Sequence, residues 1–210
     1  MLRVGLTGNI ATGKSYAAAK FSALGARIID ADRVVHDLLV SGTATYFKIV
    51  DAFGDQILGP GREINRKKLG QIVFSDANKR SMLNALTHPE VRSEIVRRIS
   101  WLEESSSSGV IIVDAALMIE TGGYKMYDCL IVVVCDPVMQ VSRIMNRDGL
   151  TEAEARARMD SQMPMEEKLK LADYAIDTSG TMLQTDNQVR AIYQNLLIRE
   201  QQSGDRKRSG

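Results

Sequence analysis

Metal-binding and disulfide chemistry is poorly supplied in this chain. Of its 210 residues only two are cysteine and two are histidine, and without a Cys-x-x-Cys pair a zinc cage would lack its usual ligands. Cys129 and Cys135 share one apolar run, where equal parity on an extended strand would turn both toward one buried face. Neither a disulfide nor a metal cage is expected, and a reducing cytoplasm is the expected compartment. Long hydrophobic runs are missing too. Val110–Val113 and Cys129–Cys135 fall far short of the roughly 20 residues that cross a bilayer. Leu2–Leu6, interrupted by Arg3 and Gly5, is too short for the apolar core of a secretion signal. No membrane association and no export are therefore expected. Charge of one sign is equally scarce, since 27 basic residues stand against 26 acidic ones for a net +1. That balance leaves no electrostatic footprint for duplex nucleic acid, and none is expected as a partner.

Short β-branched runs alternate with helical stretches, which is the pattern of an α/β domain. Leu2–Thr7 reads as a first strand, Lys14–Leu24 as a helix stopped by Gly25, and Ala26–Asp30 as a second strand. Val110–Asp114, Asp128–Val134 and Tyr174–Asp177 are Val/Ile-rich segments of the kind found in parallel strands buried on both faces. Five strands follow. Ala31–Glu104 is too long for a simple crossover and reads as helices punctuated by Gly42, Gly54, Gly59-Pro60-Gly61 and Pro89. Pro137–Arg147 and Thr151–Gln162 read as a helical pair, the second opened by Thr151 with Glu154 in capping-box spacing. A last helix covers about Thr181–Glu200, and the polar tail Gln201–Gly210 is expected to fray.

The segment Gly8-Asn9-Ile10-Ala11-Thr12-Gly13-Lys14-Ser15 fills the template G-x-x-x-x-G-K-S/T, with a strand before it and a helix after it. Glycines let successive backbone N–H groups curl around a phosphate, and the helix adds the positive end of its dipole. Lys14 is expected to reach the β- and γ-phosphates and Ser15 to ligate Mg²⁺. With the adjoining Tyr16 these residues form the expected ATP site. Guanine-reading residues are not evident. Asn78-Lys79-Arg80-Ser81 lacks the required aspartate, and Asp177-Thr178-Ser179-Gly180 comes last in the chain, where no γ-phosphate switch would sit.

A small-molecule kinase needs a carboxylate able to take the acceptor proton. The second strand ends in Asp30-Ala31-Asp32, at the strand edge where open α/β folds bind ligands. Alternation would point the two aspartates the same way, with Asp32 the candidate base and a helix cap the competing role for either. Asp114, closing the third strand, is expected to hold Mg²⁺ through water. Arg143 and Arg147, four apart, are placed to clamp the transferring phosphoryl group. A solvated helix face is the alternative.

Separated motifs then carry a family resemblance. They are Val4-Gly5-Leu6-Thr7-Gly8 with its phosphate loop, Asp30-Ala31-Asp32 with His36, Ile64-Asn65-Arg66, and His88-Pro89-Glu90-Val91-Arg92. Asp114 to Glu120, Arg143 with Arg147, Gln162, and Ala172-Asp173-Tyr174-Ala175-Ile176-Asp177 follow in order. In this combination the chain resembles dephospho-coenzyme A kinase over nearly its whole length before the tail. The resemblance implies ATP-dependent phosphorylation of the ribose 3′-hydroxyl of dephospho-coenzyme A, the last step of coenzyme A synthesis. Asp32 then matches the base on the acceptor hydroxyl. The chain departs from the family pattern at Ala116, commonly proline, and at Thr178, commonly asparagine.

The expected organisation is a P-loop kinase fold, a five-stranded parallel sheet flanked by helices. Residues 1–30, 105–139 and 164–200 would form the nucleotide-binding core, 31–104 a helical acceptor-binding insertion, 140–163 a helical lid, and 201–210 a disordered tail. Acceptor contacts are assigned to Asp32, His36, Arg66, His88, Arg92 and Leu117. For His88, capping a helix begun by Pro89 is an equal alternative, and for His36, Arg66 and Arg92 an ordinary surface role. Glu120 would anchor the turn after the third strand or assist metal binding. Monomer and homotrimer are both compatible with the sequence. Another small-molecule P-loop kinase, and a non-catalytic nucleotide-binding module, remain as alternative functions.

Overall fold

The computed structural model describes residues 1–106 and 108–208. The chain divides into two compact units, one of Met1–Ile29 with Glu103–Gly210 and the other of Asp30–Leu102.

The first unit is built on strands β1 (Leu2–Gly8), β2 (Arg27–Asp30), β3 (Val110–Asp114), β4 (Cys129–Val134) and β5 (Tyr174–Asp177), ordered β2-β3-β1-β4-β5. The sheet is parallel, with Leu6 level with Asp114 on one side of β1 and with Ile131 on the other. Burial explains the sequence pattern. All of β3 is buried, as suits a strand covered on both faces, whereas in the outer strands only Ile29 and Ile176 are. Leu2, Val4 and Leu6, with Val110, Ile112, Ile131 and Val133, turn to one face, as a side-chain period of two requires. There they pack against helix α1 (Lys14–Ala23) through Ala17 and Phe21, and against the final helix through Val189, Ile192 and Leu196. Cys129 joins this layer, but Cys135 lies one residue past the end of β4 and is only half-buried. The expected shared burial fails because the strand stops first.

In the second unit α2 (Ala31–Leu38), α3 (Ala44–Phe53), α4 (Arg66–Ser75) and α5 (Ala77–Ser105) surround a core of Tyr46, Ile49, Phe53, Ile57, Leu58, Ile64 and Leu69. A single antiparallel bridge, Leu58 to Ile64, closes the turn at Gly59-Pro60-Gly61. Pro89 does not punctuate the chain as expected. It sits inside the 29-residue α5, where a proline forfeits one backbone donor and presses on the preceding turn. The burial of Thr87, Ile95 and Ile99 on either side holds the helix together through that defect. With no helix beginning at Pro89, His88 has no cap to make.

Back in the first unit, α6 (Pro137–Asp148) and α7 (Glu152–Asp160) form the expected helical pair. Thr151 and Glu154 complete the capping box, the Thr151 N–H donating to Glu154 Oε2 at 2.8 Å. A short helix, α8 (Met165–Leu169), follows. The last helix, α9 (Met182–Arg208), continues past Glu200, and of the tail expected to fray, residues 209 and 210 lie outside the described residues. No described helix is long and apolar enough to cross a membrane.

Candidate active site

The phosphate loop leaves β1 at Gly8 and enters α1 at Lys14. A Cβ at Gly8 would lie 2.7 Å from the Val133 carbonyl oxygen and 2.7 Å from Thr12 Oγ1, so only glycine lets the loop turn this tightly over β4. Gly13 has φ +87°, and Ala11 shares the left-handed region at φ 59°. Such turns aim successive N–H groups inward as an anion-binding nest, and no side chain caps the first turn of α1. Ala11 carries a left-handed cost of roughly 1–2 kcal/mol, a kind of strain that collects at ligand clamps.

Both flanks of the loop are fastened. The Ile10 N–H donates to Gln162 Oε1 at 2.8 Å, and the Ile10 carbonyl accepts from Gln140 Nε2 at 2.6 Å. Asn9 Nδ2 donates to the Met163 carbonyl at 3.2 Å. Ile10 and Ala11 also pack on the apolar cluster of Val141, Ile144 and Ala155 contributed by α6 and α7. Thr12 is fully buried, and its carbonyl accepts from Thr178 Oγ1 at 2.7 Å. In the sequence Gln162 is legible only as part of a motif, and Gln140 not at all. A glutamine on an amphipathic helix carries no local mark of being buried.

Lys14 Nζ donates to Asp114 Oδ1, joining the start of α1 to the end of β3. Side-chain exposures of 14% and 8% withdraw both charges from bulk water, where each compensates the other. Ser15 is exposed in the first turn of α1. Its hydroxyl and the Asp114 carboxylate are hard oxygen donors of the type Mg²⁺ takes, although no group of three or more potential metal-ligating residues occurs among the described residues. The Tyr16 hydroxyl donates to Asp186 of α9 at 2.8 Å, so that side chain tethers two helices.

The two arginines of α6 part company. Arg143 donates to Thr178 Oγ1 at 2.9 Å, to the Thr178 carbonyl at 2.8 Å and to the Ala11 carbonyl at 3.4 Å. It braces the phosphate loop against the end of β5. Arg147 instead donates to Asp148 at 2.8 and 2.9 Å, a carboxylate that Arg158 also engages at 2.8 Å. These bonds hold Asp148 below the ordinary carboxylate range, the Arg147 hydrogen bonds being the main cause. Thr178, flagged as a departure from the family pattern, is buried and holds both the loop and Arg143. Leu117, by contrast, is exposed after β3.

The remaining candidates belong to the second unit. Asp30 ends β2 and caps α2, accepting from the N–H groups of Asp32 and Arg33 at 2.8 and 3.1 Å. Strand alternation therefore does not reach Asp32, because the helix has begun at Ala31. The capping duty falls to Asp30, leaving Asp32 an exposed first-turn carboxylate. His36 is exposed on the same helix, its Nδ1 lying 4.0 Å from Asp37 Oδ1. Arg66 is the exposed first residue of α4 behind the Asn65 cap. His88 and Arg92 are exposed one turn apart on α5. Arg98 ties α5 to α2 by its bond to Asp37 at 2.8 Å, and Lys48 ties α3 to α5 through Glu90 at 2.6 Å.

Comparison with known proteins agrees with this geometry. The family model described as Dephospho-CoA kinase matches residues 2–184. The dephospho-CoA kinase of Carboxydothermus hydrogenoformans is 44% identical over 193 residues, covering 91% of this chain and 92% of that one. The solved dephospho-CoA kinase of Campylobacter jejuni superimposes with a TM-score of 0.71 at 31% identity, covering 93% of this chain and 96% of that one. A solved protein of Thermus thermophilus gives a TM-score of 0.79 at 28% identity, covering 93% and 97%.

Proposed function

The chain belongs to the dephospho-CoA kinase family, and from that premise we propose how its residues divide the work of the reaction. The enzyme phosphorylates dephospho-coenzyme A with ATP, at the ribose 3′-hydroxyl, in the last step of coenzyme A synthesis. The observation that carries the assignment is the strained phosphate loop, with Lys14 paired to Asp114, inside a family match spanning residues 2–184.

In this reading the N–H groups from Gly8 to Ser15, with Tyr16, cradle the ATP phosphates, and Lys14 meets the β- and γ-oxygens. Ser15 and, through water, Asp114 would hold Mg²⁺, which when bound neutralises phosphate charge. Asp32 accepts the proton of the attacking hydroxyl. Its release from capping, a duty taken by Asp30, supports that role. His36, Arg66, His88, Arg92 and Leu117 contact the acceptor, the arginines suiting its pyrophosphate. Residues 31–104 form the acceptor-binding insertion and 140–163 the lid, which brings Arg143 and Arg147 to the transferring phosphoryl group and excludes water. The reaction is assigned to the cytoplasm, in keeping with a chain that carries only two cysteines.

The test is ADP release with Mg²⁺-ATP and dephospho-coenzyme A, run beside adenosine and simple sugars, on wild type and Asp32→Asn. Turnover is expected with dephospho-coenzyme A alone, and the variant should lose about a hundredfold or more in kcat with the KM for ATP held, the scale of a lost general base. Equal kcat in the variant would remove Asp32 from its role. ATP binding without turnover of any acceptor would favour a non-catalytic module.

A further inference from the structure

Among the described residues Lys168 is the one buried lysine, with no exposed surface at all. An ammonium is not withdrawn from water without partners to receive it. Two are present, both in the segment that follows β3. Lys168 Nζ meets Glu120 Oε1 at 2.7 Å and the Ala116 carbonyl at 3.5 Å. That carbonyl also accepts from Thr7 Oγ1 at 3.0 Å, one residue before the phosphate loop begins. The Ala115 N–H donates to the Leu6 carbonyl at 3.0 Å.

The same segment is seated by packing. Met118 and Ile119 are buried. A Cβ at Gly5 would come within 2.5 Å of Met118 Sδ, so the missing side chain in the middle of β1 opens the seat that Met118 fills. Between these fixed points Leu117 is 53% exposed, held outward on a short stretch with little freedom of its own. Glu120 is thus paired with an ammonium, which supports its part in anchoring the turn.

We propose that Lys168 is a positioning residue for the acceptor. By clamping Glu120 and the Ala116 carbonyl it fixes the turn Ala115–Glu120, and so sets where Leu117 meets dephospho-coenzyme A. The inference rests on the reading above that Leu117 contacts the acceptor. Lys168 lies on α8, directly after the segment assigned to the lid, so the clamp also ties the chain leaving the lid to the acceptor turn. None of its partners belongs to the phosphate loop, so acceptor binding should respond to the clamp and nucleotide binding should not.

Steady-state kinetics with both substrates varied, on wild type, Lys168→Met and Glu120→Gln, tests this. The KM for dephospho-coenzyme A is expected to rise about tenfold or more in both variants while the KM for ATP stays within about twofold. A merely structural brace would lower the active fraction, reducing apparent kcat and leaving both KM values in place. That result, or a parallel rise in the KM for ATP, overturns the proposal. If Lys168→Met does not fold, Glu120→Gln decides alone, because its amide keeps the shape of the side chain while removing the charge that holds the Lys168 ammonium. A wild type inactive on dephospho-coenzyme A would remove the functional reading and the inference with it. An active wild type with unmoved KM values in the variants removes the inference only.

Discussion

Lys14 and Asp114 stand 100 positions apart in sequence, and an ion pair joins them at the carboxyl edge of the sheet. The register of β1 and β3 makes this possible, since Leu6 lies level with Asp114 and the loop after β1 returns Lys14 to the same edge. A side chain assigned to phosphate and one assigned to the metal's water shell are thereby set beside each other by strand pairing.

Because Asp114 is buried and Lys14 largely withdrawn from water, removing only the ammonium should be costly. Lys14→Met is expected to destabilise the fold by about 3–5 kcal/mol, the scale for breaking a buried pair, and to abolish ATP binding. The double variant Lys14→Met with Asp114→Leu should regain much of that stability and none of the binding. Urea denaturation and nucleotide titration measure the two effects. A double variant no more stable than the single one would show that the pair does not compensate the buried charge.

The phosphate loop should be sensitive where it leans on Thr178. Gly13→Ala forces a side chain into a left-handed backbone and sets its Cβ 3.2 Å from Thr178 Cγ2. Thr178→Val strips the hydroxyl's bonds to the Thr12 carbonyl and to Arg143 Nη1 while leaving the Thr178 carbonyl bonded to Arg143, at an expected cost of about 1–3 kcal/mol for groups left unsatisfied. Both variants should weaken ATP binding measured by calorimetry. Unchanged affinity in Gly13→Ala would mean that the loop does not need this conformation to hold phosphate.

Acid should weaken the helical unit through Glu94. Hydrogen bonds from Arg97, then Arg98, hold its carboxyl down to about 2 from an ordinary 4.5. A depressed carboxylate contributes its stability in full above the unfolded value and loses it as pH falls through the folded one. This contribution should therefore hold from neutral pH to about 4.5 and decline from there toward 2. Glu94→Gln should flatten that part of the pH–stability curve in urea denaturation; a curve parallel to wild type would exclude the linkage.

The two thiols should differ in reactivity. Burial, reinforced by Asp173, pushes Cys129 up to about 12, so it holds almost no thiolate near neutrality and is shielded by the sheet. Thiolate is the reactive form. Alkylation of the native protein at pH 8 followed by peptide mass analysis should modify Cys135 and spare Cys129. Modification of Cys129 at a comparable rate would show that the sheet opens at its β4 end.

Much of the site was legible because its chemistry is local. The phosphate loop is eight consecutive residues whose glycines answer backbone demands within the segment, and the bounds of β3 and β5 follow from their Val/Ile-rich segments alone. Thr151 and Glu154 announced their helix for the same reason. Pro89 misled because the rule against proline in a helix is also local. The helix runs on through Pro89 with Thr87, Ile95 and Ile99 buried on either side of it. Asp32 was expected to follow strand alternation, but Asp30 starts the helix by capping it, and neither aspartate differs from the other in type.

The sequence by itself determined the phosphate loop, the strands that frame it and the family, since each is written in neighbouring residues or in the order of motifs. Only the tertiary structure decided that Arg143 and Thr178 brace the loop, that Gln140 and Gln162 hold Ile10 from either side, and that Lys168 is buried against Glu120. These side chains become functional through partners tens of residues away. A charged or amide group reads as solvated surface until the folded chain removes the water and supplies the partner.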